Sequence, residues 1–403
     1  MTSAKKVDFL IIGAGIIGVT IALELERRFP DCGIVIIEKE SDCAGHASGR
    51  NSGVLHAGFY YSADSLKARF CREGNLALRE YCKENNIPLN ECGKLVVAKN
   101  EHELQVLDKL LERGRANGVD VSRISEKQAK EIEPRIRTLD YALWSPTTSS
   151  VAPKMLVSSL LKRAKDRGVQ VYYQTRFEDR DEKNTVYTSQ GEFSAGYVIN
   201  TAGLYADRIA HMFGFGDELK ILPFKGLYLY CTHPEETLGV HVYPVPDIDY
   251  PFLGVHHTVT VDGKLKIGPT AVPAFWREQY SALSGFDMRE FVEVLGSECS
   301  LFMNSNFNFR GLASEELKKQ FRKYMVEVAS KLVSGVKKEN YTAWGTPGIR
   351  AQLYNQKERK LVSDFCVQGD SRSFHVLNAV SPAFTASMPF ANYCCDEIQR
   401  LMD

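Results

Sequence analysis

The sequence predicts an α/β fold, α+β overall, in which a Rossmann-like domain is interleaved with a second domain built on a mixed β-sheet plus helices. Three observations carry this expectation. The chain opens with an apolar strand, a glycine-rich turn, a helix and a second apolar strand, which together form a βαβ unit. Small-residue turns recur far downstream at 201–203 and 381–387, so one domain is assembled from separated segments. Between them, 219–280 is rich in strand formers, Pro and aromatics, and 287–336 reads as helical.

Each element follows from local pattern. Val7 to Ile12 is an apolar run of the kind found in buried parallel strands. Helical periodicity runs from Ile16 to Phe29 and stops at Pro30, which lacks the N–H that a helix interior requires. Ile34 to Ile37 is the second strand. A strand is expected around 93–98, a charged helix from Glu101 to Gly118 and another helix from Met155 to Arg167. Val169 to Gln174, Val186 to Ser189 and Tyr197 to Asn200 read as strands. The tail from Gly345 returns to glycine-punctuated strands and closes in a helix from about Thr385.

Bulk composition narrows the function classes. The chain has 403 residues, more than one ordinary core accommodates and enough for two domains. Fifty basic and fifty acidic residues cancel, so no global field favours nucleic acid or an acidic membrane. The ten cysteines lack metal-ligand spacing and read as reduced thiols. The lead MTSAKKVDFLII has neither a cleavage site nor an Arg-rich transit pattern, and the expectation is a cytoplasmic protein. No apolar run reaches the ~20 residues of a membrane span; peripheral contact with an inner membrane stays open.

The first chemical signal is Gly13, Ala14, Gly15, Ile16, Ile17 and Gly18, a G-x-G-x-x-G match that follows a strand and opens a helix. That context is what dinucleotide binding requires. Gly13 permits the turn, Gly15 admits a pyrophosphate, Gly18 allows close packing, and the helix N-terminus stabilises phosphate charge. Glu38, twenty positions beyond Gly18 and followed by Lys39, is placed to accept hydrogen bonds from a ribose.

The glycines alone do not choose between NAD and FAD. After the second strand the chain runs into Ser48, Arg50, Asn51, Ser52, Gly53 and Val54, where a nicotinamide domain would continue into another helix and strand. Such a segment resembles flavoproteins of the D-amino-acid oxidase type, in which it passes along the diphosphate and the flavin ring. Thr201, Ala202 and Gly203 form a second cofactor turn. Pro382, Ala383, Phe384 and Thr385 form a third, where a helix N-terminus would face the flavin pyrimidine edge. Phe177 sits where that superfamily contacts adenine through backbone atoms, and Gly348 joins the cofactor set with Arg350.

The stretches GRNSGVLHAGFYY (49–61), CGKLVVA (92–98), YPVPD (243–247), PFLGVHHTVTVDGKLKIGPTAVPAF (251–275) and GIRAQL (348–353) resemble the L-2-hydroxyglutarate dehydrogenases in order along essentially the whole chain. The 251–275 block discriminates most, since generic amine oxidases of the superfamily lack it. The resemblance implies FAD-linked oxidation of L-2-hydroxyglutarate to 2-oxoglutarate. Electrons would pass to a quinone, an electron-transfer protein, another acceptor or oxygen. It also implies an FAD-binding domain over 1–82, 148–218 and 340–403, and a substrate-binding domain over 83–147 and 219–339. Lys225 stands where an arginine is common, and His257 and Thr258 also depart from the family pattern, which leaves substrate length open. FAD is read as noncovalent, although His46 and nearby cysteines lie in a region where a link would form.

Oxidising a 2-hydroxy acid requires a carboxylate anchor, a base for the hydroxyl proton and an α-hydrogen facing the flavin. His56, flanked by Gly53 and Gly58, is the leading base and His256 the second candidate. Arg350 is the leading carboxylate clamp, because its planar fork suits bidentate recognition. Lys225 is read as the second cation for a dicarboxylate. Tyr60 and Tyr61, taken as strand neighbours facing opposite sides, leave Tyr60 as the preferred substrate contact. Asp247 and Asp262 read as turn residues. Three alternatives stay open: an FAD-dependent amine or amino-acid oxidase, a non-catalytic flavin-binding protein and, least favoured, an NAD-dependent dehydrogenase.

Overall fold

The computed structural model describes residues 4–233, 236–246, 254–304 and 309–403. Asp247, and 251–253 at the head of the 251–275 block, lie outside the described residues. The chain forms two compact units, Met1–Arg50 with Pro153–Pro223 and Arg350–Asp403, and Asn51–Ala152 with Phe224–Ile349.

In the first unit the strand Lys5–Ile12, the helix Ile16–Arg28 and the strand Ile34–Ile37 form the expected βαβ unit. Lys5–Ile12 pairs in parallel with Ile34–Ile37 on one side and with Gly191–Asn200 on the other. The sheet continues through Gln170–Tyr172 at one end and Thr185–Thr188 and Phe177–Arg180 at the other, while Ser373–Asn378 pairs with Gly191–Asn200. The helix Ile16–Arg28 packs against Pro153–Asp166 and Ala383–Met402. Its C-cap Phe29 precedes Pro30 and leaves the helical region at φ −128°, ψ 66°. Arg27 and Arg28 occupy the last turn, where cations are favoured.

The second unit carries a mixed sheet in the order 341–344, 229–231, 265–268, 256–259, 241–244, 94–97, 141–145, 122–125. Only the pairing of Lys94–Val97 with His241–Pro244 is parallel among the pairs described in this sheet. Alternation sends Leu95, Val97 and Val242 to a core shared with Met325, Val326 and Ala329 of the helix Arg322–Ser330. The opposite face sends Val96, Leu143 and Tyr243 to a core shared with Phe59 and with Leu107 and Leu110 of the helix Glu101–Ala116.

The compact units divide at 50/51, 152/153, 223/224 and 349/350, whereas the sequence reading put the first change at 82/83. Segment 51–82 belongs to the second unit because Val54–Leu55 pairs with Ser149–Val151. The Asn75 side-chain amide also donates to the carbonyls of Leu55 and Thr147, both at 3.1 Å. Asn75 lies on the helix Leu66–Glu84, which sequence reading missed. Its buried stripe of Ala68, Cys71, Gly74, Asn75, Leu78 and Cys82 has helical spacing, but a glycine and an amide interrupt the apolar pattern. Among the described residues, no helix is long and apolar enough to cross a membrane.

Candidate active site

In the first unit the turn after Lys5–Ile12 is built for close approach of backbone. Gly13 has φ +107°, and a Cβ there would lie 2.9 Å from the Thr201 carbonyl oxygen. At Gly18 a Cβ would meet the Gly13 carbonyl at 2.1 Å and Thr201 Oγ1 at 2.7 Å. The close packing expected of Gly18 is therefore against the glycine turn itself and the Thr201 segment. Thr201 is tied there by its N–H and hydroxyl, both donating to the Ile12 carbonyl at 3.1 and 2.9 Å.

Glu38 is only 7% exposed. Its Oε2 accepts from Ala14 N–H at 2.8 Å and its Oε1 from Glu40 N–H at 2.9 Å, which locks the second strand's end to the turn. Each carboxylate oxygen keeps a further lone pair for a ribose hydroxyl. Ser48 Oγ accepts the first helix N–H, from Ile16, at 2.9 Å, and Arg50 Nε donates to the Gly45 carbonyl at 2.7 Å. Lys39 lies 5.8 Å from the Tyr205 ring centroid, and His46 Nε2 is 2.9 Å from Glu40 Oε1. Pro382 caps the helix Ala383–Met402, and Phe177 packs with Phe213 beside the sheet core. Positions where a side chain cannot exist, a helix N-terminus and a buried carboxylate beside the turn together fit a dinucleotide.

Asn51, Ser52, Gly53, Val54 and Gly348 of the expected cofactor set belong to the second unit, whereas Arg350 belongs to the first. Asn51 Oδ1 accepts from Gly53 N–H at 2.8 Å and Ser52 Oγ from Val54 N–H at 3.2 Å, so the segment is held by local side-chain turns. Lys225 is half-buried in the second unit, and burial draws its ammonium below the usual lysine range.

His56, 9% exposed, directly follows Val54–Leu55. Its carbonyl accepts from the Cys71 thiol at 3.3 Å. His256 opens the strand His256–Val259 and is 3% exposed. Its Nδ1 donates to the Gly254 carbonyl at 2.8 Å, its ring stacks on Tyr243 at 3.7 Å, and its buried Nε2 has no partner among the described residues. Burial holds this imidazole well below its ordinary pKa, so Nε2 is a neutral proton acceptor. The charges of His56, His241 and Lys94 also bear on it, so the two histidines singled out by sequence lie in one electrostatic neighbourhood. His241 is likewise pushed down by burial to about 3, and its Nδ1 accepts from Val259 N–H at 3.1 Å.

Tyr60 and Tyr61 are not strand neighbours. Gly58 at φ +103° ends the extended run, and residues 59 and 60 form a turn. The buried Tyr60 hydroxyl has no partner among the described residues, and its ring lies 4.5 Å from that of Phe59.

Lys266 and Lys94, buried amines of the second unit, escaped the sequence reading. Lys266 Nζ donates to the Ser52 carbonyl at 2.9 Å and lies 4.5 Å from the Tyr228 ring; burial lowers it to about 8. Lys94 opens the strand Lys94–Val97 and is 0% exposed. The available signal was a lysine heading the apolar run Leu-Val-Val inside the CGKLVVA block, where a solvated lysine is out of place.

The family described as DAO, FAD dependent oxidoreductase, matches residues 8–396. L-2-hydroxyglutarate dehydrogenase from Escherichia coli strain K12 is 35% identical over 401 residues, covering 98% of this chain and 94% of that protein. The mitochondrial L-2-hydroxyglutarate dehydrogenase of Homo sapiens is 35% identical over 423 residues, covering 99% and 90%. Among solved structures, an FAD-bound, dithionite-reduced L-α-glycerophosphate oxidase from Mycoplasma pneumoniae has a TM-score of 0.78 at 23% identity, covering 98% and 95%. L-proline dehydrogenase from P. horikoshii shares the fold with a TM-score of 0.72 at 18% identity, covering 99% and 94%. The chain belongs to the DAO family of FAD-dependent oxidoreductases and, within it, to the family of the L-2-hydroxyglutarate dehydrogenases.

Proposed function

We propose that this chain oxidises L-2-hydroxyglutarate to 2-oxoglutarate, using FAD. The observation that carries the substrate assignment is the 35% identity to L-2-hydroxyglutarate dehydrogenases along nearly their whole length. FAD, when bound, supplies a two-electron acceptor for the hydride leaving the substrate α-carbon. The Gly13–Gly18 turn, Glu38, Ser48, Thr201–Gly203 and Pro382–Thr385 would hold it. Asn51–Val54, Gly348 and the Phe177 backbone complete that set in this reading.

The substrate loses a hydride from carbon and a proton from oxygen, so one side chain must take the proton. His56 is proposed as that base, with His256 beside it as a neutral acceptor fixed in one tautomer by its Nδ1–H bond to Gly254. Arg350 is the proposed clamp for one carboxylate, Lys225 the cation for the other, and Tyr60 a wall of the site. Reoxidation would use a quinone, an electron-transfer protein or oxygen, with the enzyme cytoplasmic and able to meet a quinone at a membrane periphery.

Anaerobic mixing of the holoenzyme with L-2-hydroxyglutarate, glycine, sarcosine or D-amino acids tests the class of substrate. Bleaching of the flavin by the hydroxy acid alone is expected. Bleaching only by an amine would replace this reading with an amine oxidase.

A further inference from the structure

Lys94 is the first residue of a strand buried at all four positions, paired through its Cα with His241 on one side and Ser145 on the other. Alternation puts its side chain on the face of Val96 and Tyr243, among aromatic rings. Its Nζ lies 4.5 Å from the Phe59 centroid, 4.4 Å from Tyr60 and 5.0 Å from Tyr243. Among the described residues the amine has no hydrogen-bond partner, and neither does the buried Tyr60 hydroxyl. Rings offer their negative faces to a cation, yet no carboxylate is among the groups acting on Lys94 in the described residues.

A sealed amine without a counter-ion is a costly core element and a responsive one. Burial lowers its proton affinity to about 7, far below the usual lysine range. A nearby anion favours the charged form and raises that affinity. The ionisable groups around it come from several elements. Cys71 would favour the charge only as a thiolate, and burial pushes its thiol up to about 12, so it is neutral where the amine titrates. Lys67 of the same helix acts on Cys71, and Tyr60 and Tyr243 lie in the cage. His241 and His256 feel Lys94 directly, while His56 and Lys266 act on those imidazoles.

We propose that Lys94 is a positioning residue that answers substrate charge: its caged amine takes up a proton when a dianionic 2-hydroxy or 2-oxo acid enters the site beside Tyr60 and His56. This rests on the functional reading above. The protonated amine then supplies positive potential for the substrate carboxylates.

The test is calorimetry of 2-oxoglutarate binding to the holoenzyme at pH 8, in buffers of different ionisation enthalpy, alongside the pH dependence of KM for L-2-hydroxyglutarate. The wild type is expected to take up a fraction of a proton on binding, and its KM should rise about tenfold from pH 7 to pH 9 as the amine empties. Lys94→Met should bind without that uptake and with a raised KM that lacks the step, whereas a residue that only fills space would leave both readouts unchanged. Wild-type binding without proton uptake overturns the inference even if Lys94→Met fails to fold. Flavin reduction by L-2-hydroxyglutarate with no uptake leaves the functional reading standing and this inference overturned. If neither acid acts on the holoenzyme, both fall.

Discussion

Two four-residue strands, one in each unit, are buried at every position and differ in what they bury. Ile34–Ile37 in the first unit carries only aliphatic side chains and ends at a carboxylate held by two backbone N–H groups. Lys94–Val97 in the second starts with an amine that has no hydrogen-bond partner among the described residues. The aliphatic strand is accounted for by apolar burial alone, whereas the other keeps a group whose desolvation opposes folding. Stability organises the first strand. Chemistry is the better account of the second.

The largest expected effect belongs to the chemical face. His56→Ala should slow flavin reduction by roughly 10²–10⁴-fold while 2-oxoglutarate binding changes far less, as loss of a base requires. Stopped-flow reduction and equilibrium titration separate the two, and an unchanged reduction rate removes His56 from the reaction. On the structural strand, Ile36→Ala deletes a fully buried side chain and should cost about 2–5 kcal/mol in denaturant unfolding. A loss below 1 kcal/mol would mean the first unit does not depend on that core.

Gly18→Ala tests the cofactor turn between these extremes. Its Cβ would fall 2.1 Å from a backbone oxygen, so either the turn or the helix must move. Flavin retained per protein after gel filtration should drop, with at least about a tenfold weaker affinity; full retention would show that the turn tolerates a side chain.

The smallest effect sharpens the comparison most. The unfolded chain holds the Lys94 proton to about 10.5 and the folded chain only to about 7. Between those values the unfolded state binds more protons, so wild-type stability from this group rises with pH. Lys94→Met should therefore be as stable as wild type or more so at pH 7, and its advantage should shrink as pH rises toward 10. A Lys94→Met variant as damaging as Ile36→Ala, with no pH dependence, would make the two strands equivalent.

What sequence revealed follows the same division. The βαβ unit was legible because its period, its glycines and Glu38 all lie within one short segment. The helix Leu66–Glu84 was not, because Gly74 and Asn75 occupy its buried stripe, and Asn75 is there to donate to two carbonyls. Sequence alone puts Tyr60 on a strand, because the turn depends on the positive φ of Gly58, one glycine among many. The cage around Lys94 draws on residues 59, 60, 94 and 243, brought together only by sheet pairing and loop closure. His256 was visible as a candidate, but the proton on Nδ1 and the unpartnered Nε2 are facts of the fold.

The central claim is oxidation of one enantiomer of a 2-hydroxy dicarboxylate through FAD. Anaerobic mixing of the yellow holoenzyme with equal amounts of L- or D-2-hydroxyglutarate, followed by flavin absorbance and assay of 2-oxoglutarate, tests it most directly. The account predicts rapid bleaching with L-2-hydroxyglutarate, one 2-oxoglutarate formed per flavin reduced, and no comparable reaction with the D form. A flavin that stays oxidised with the L form, or bleaches equally with both, would contradict it.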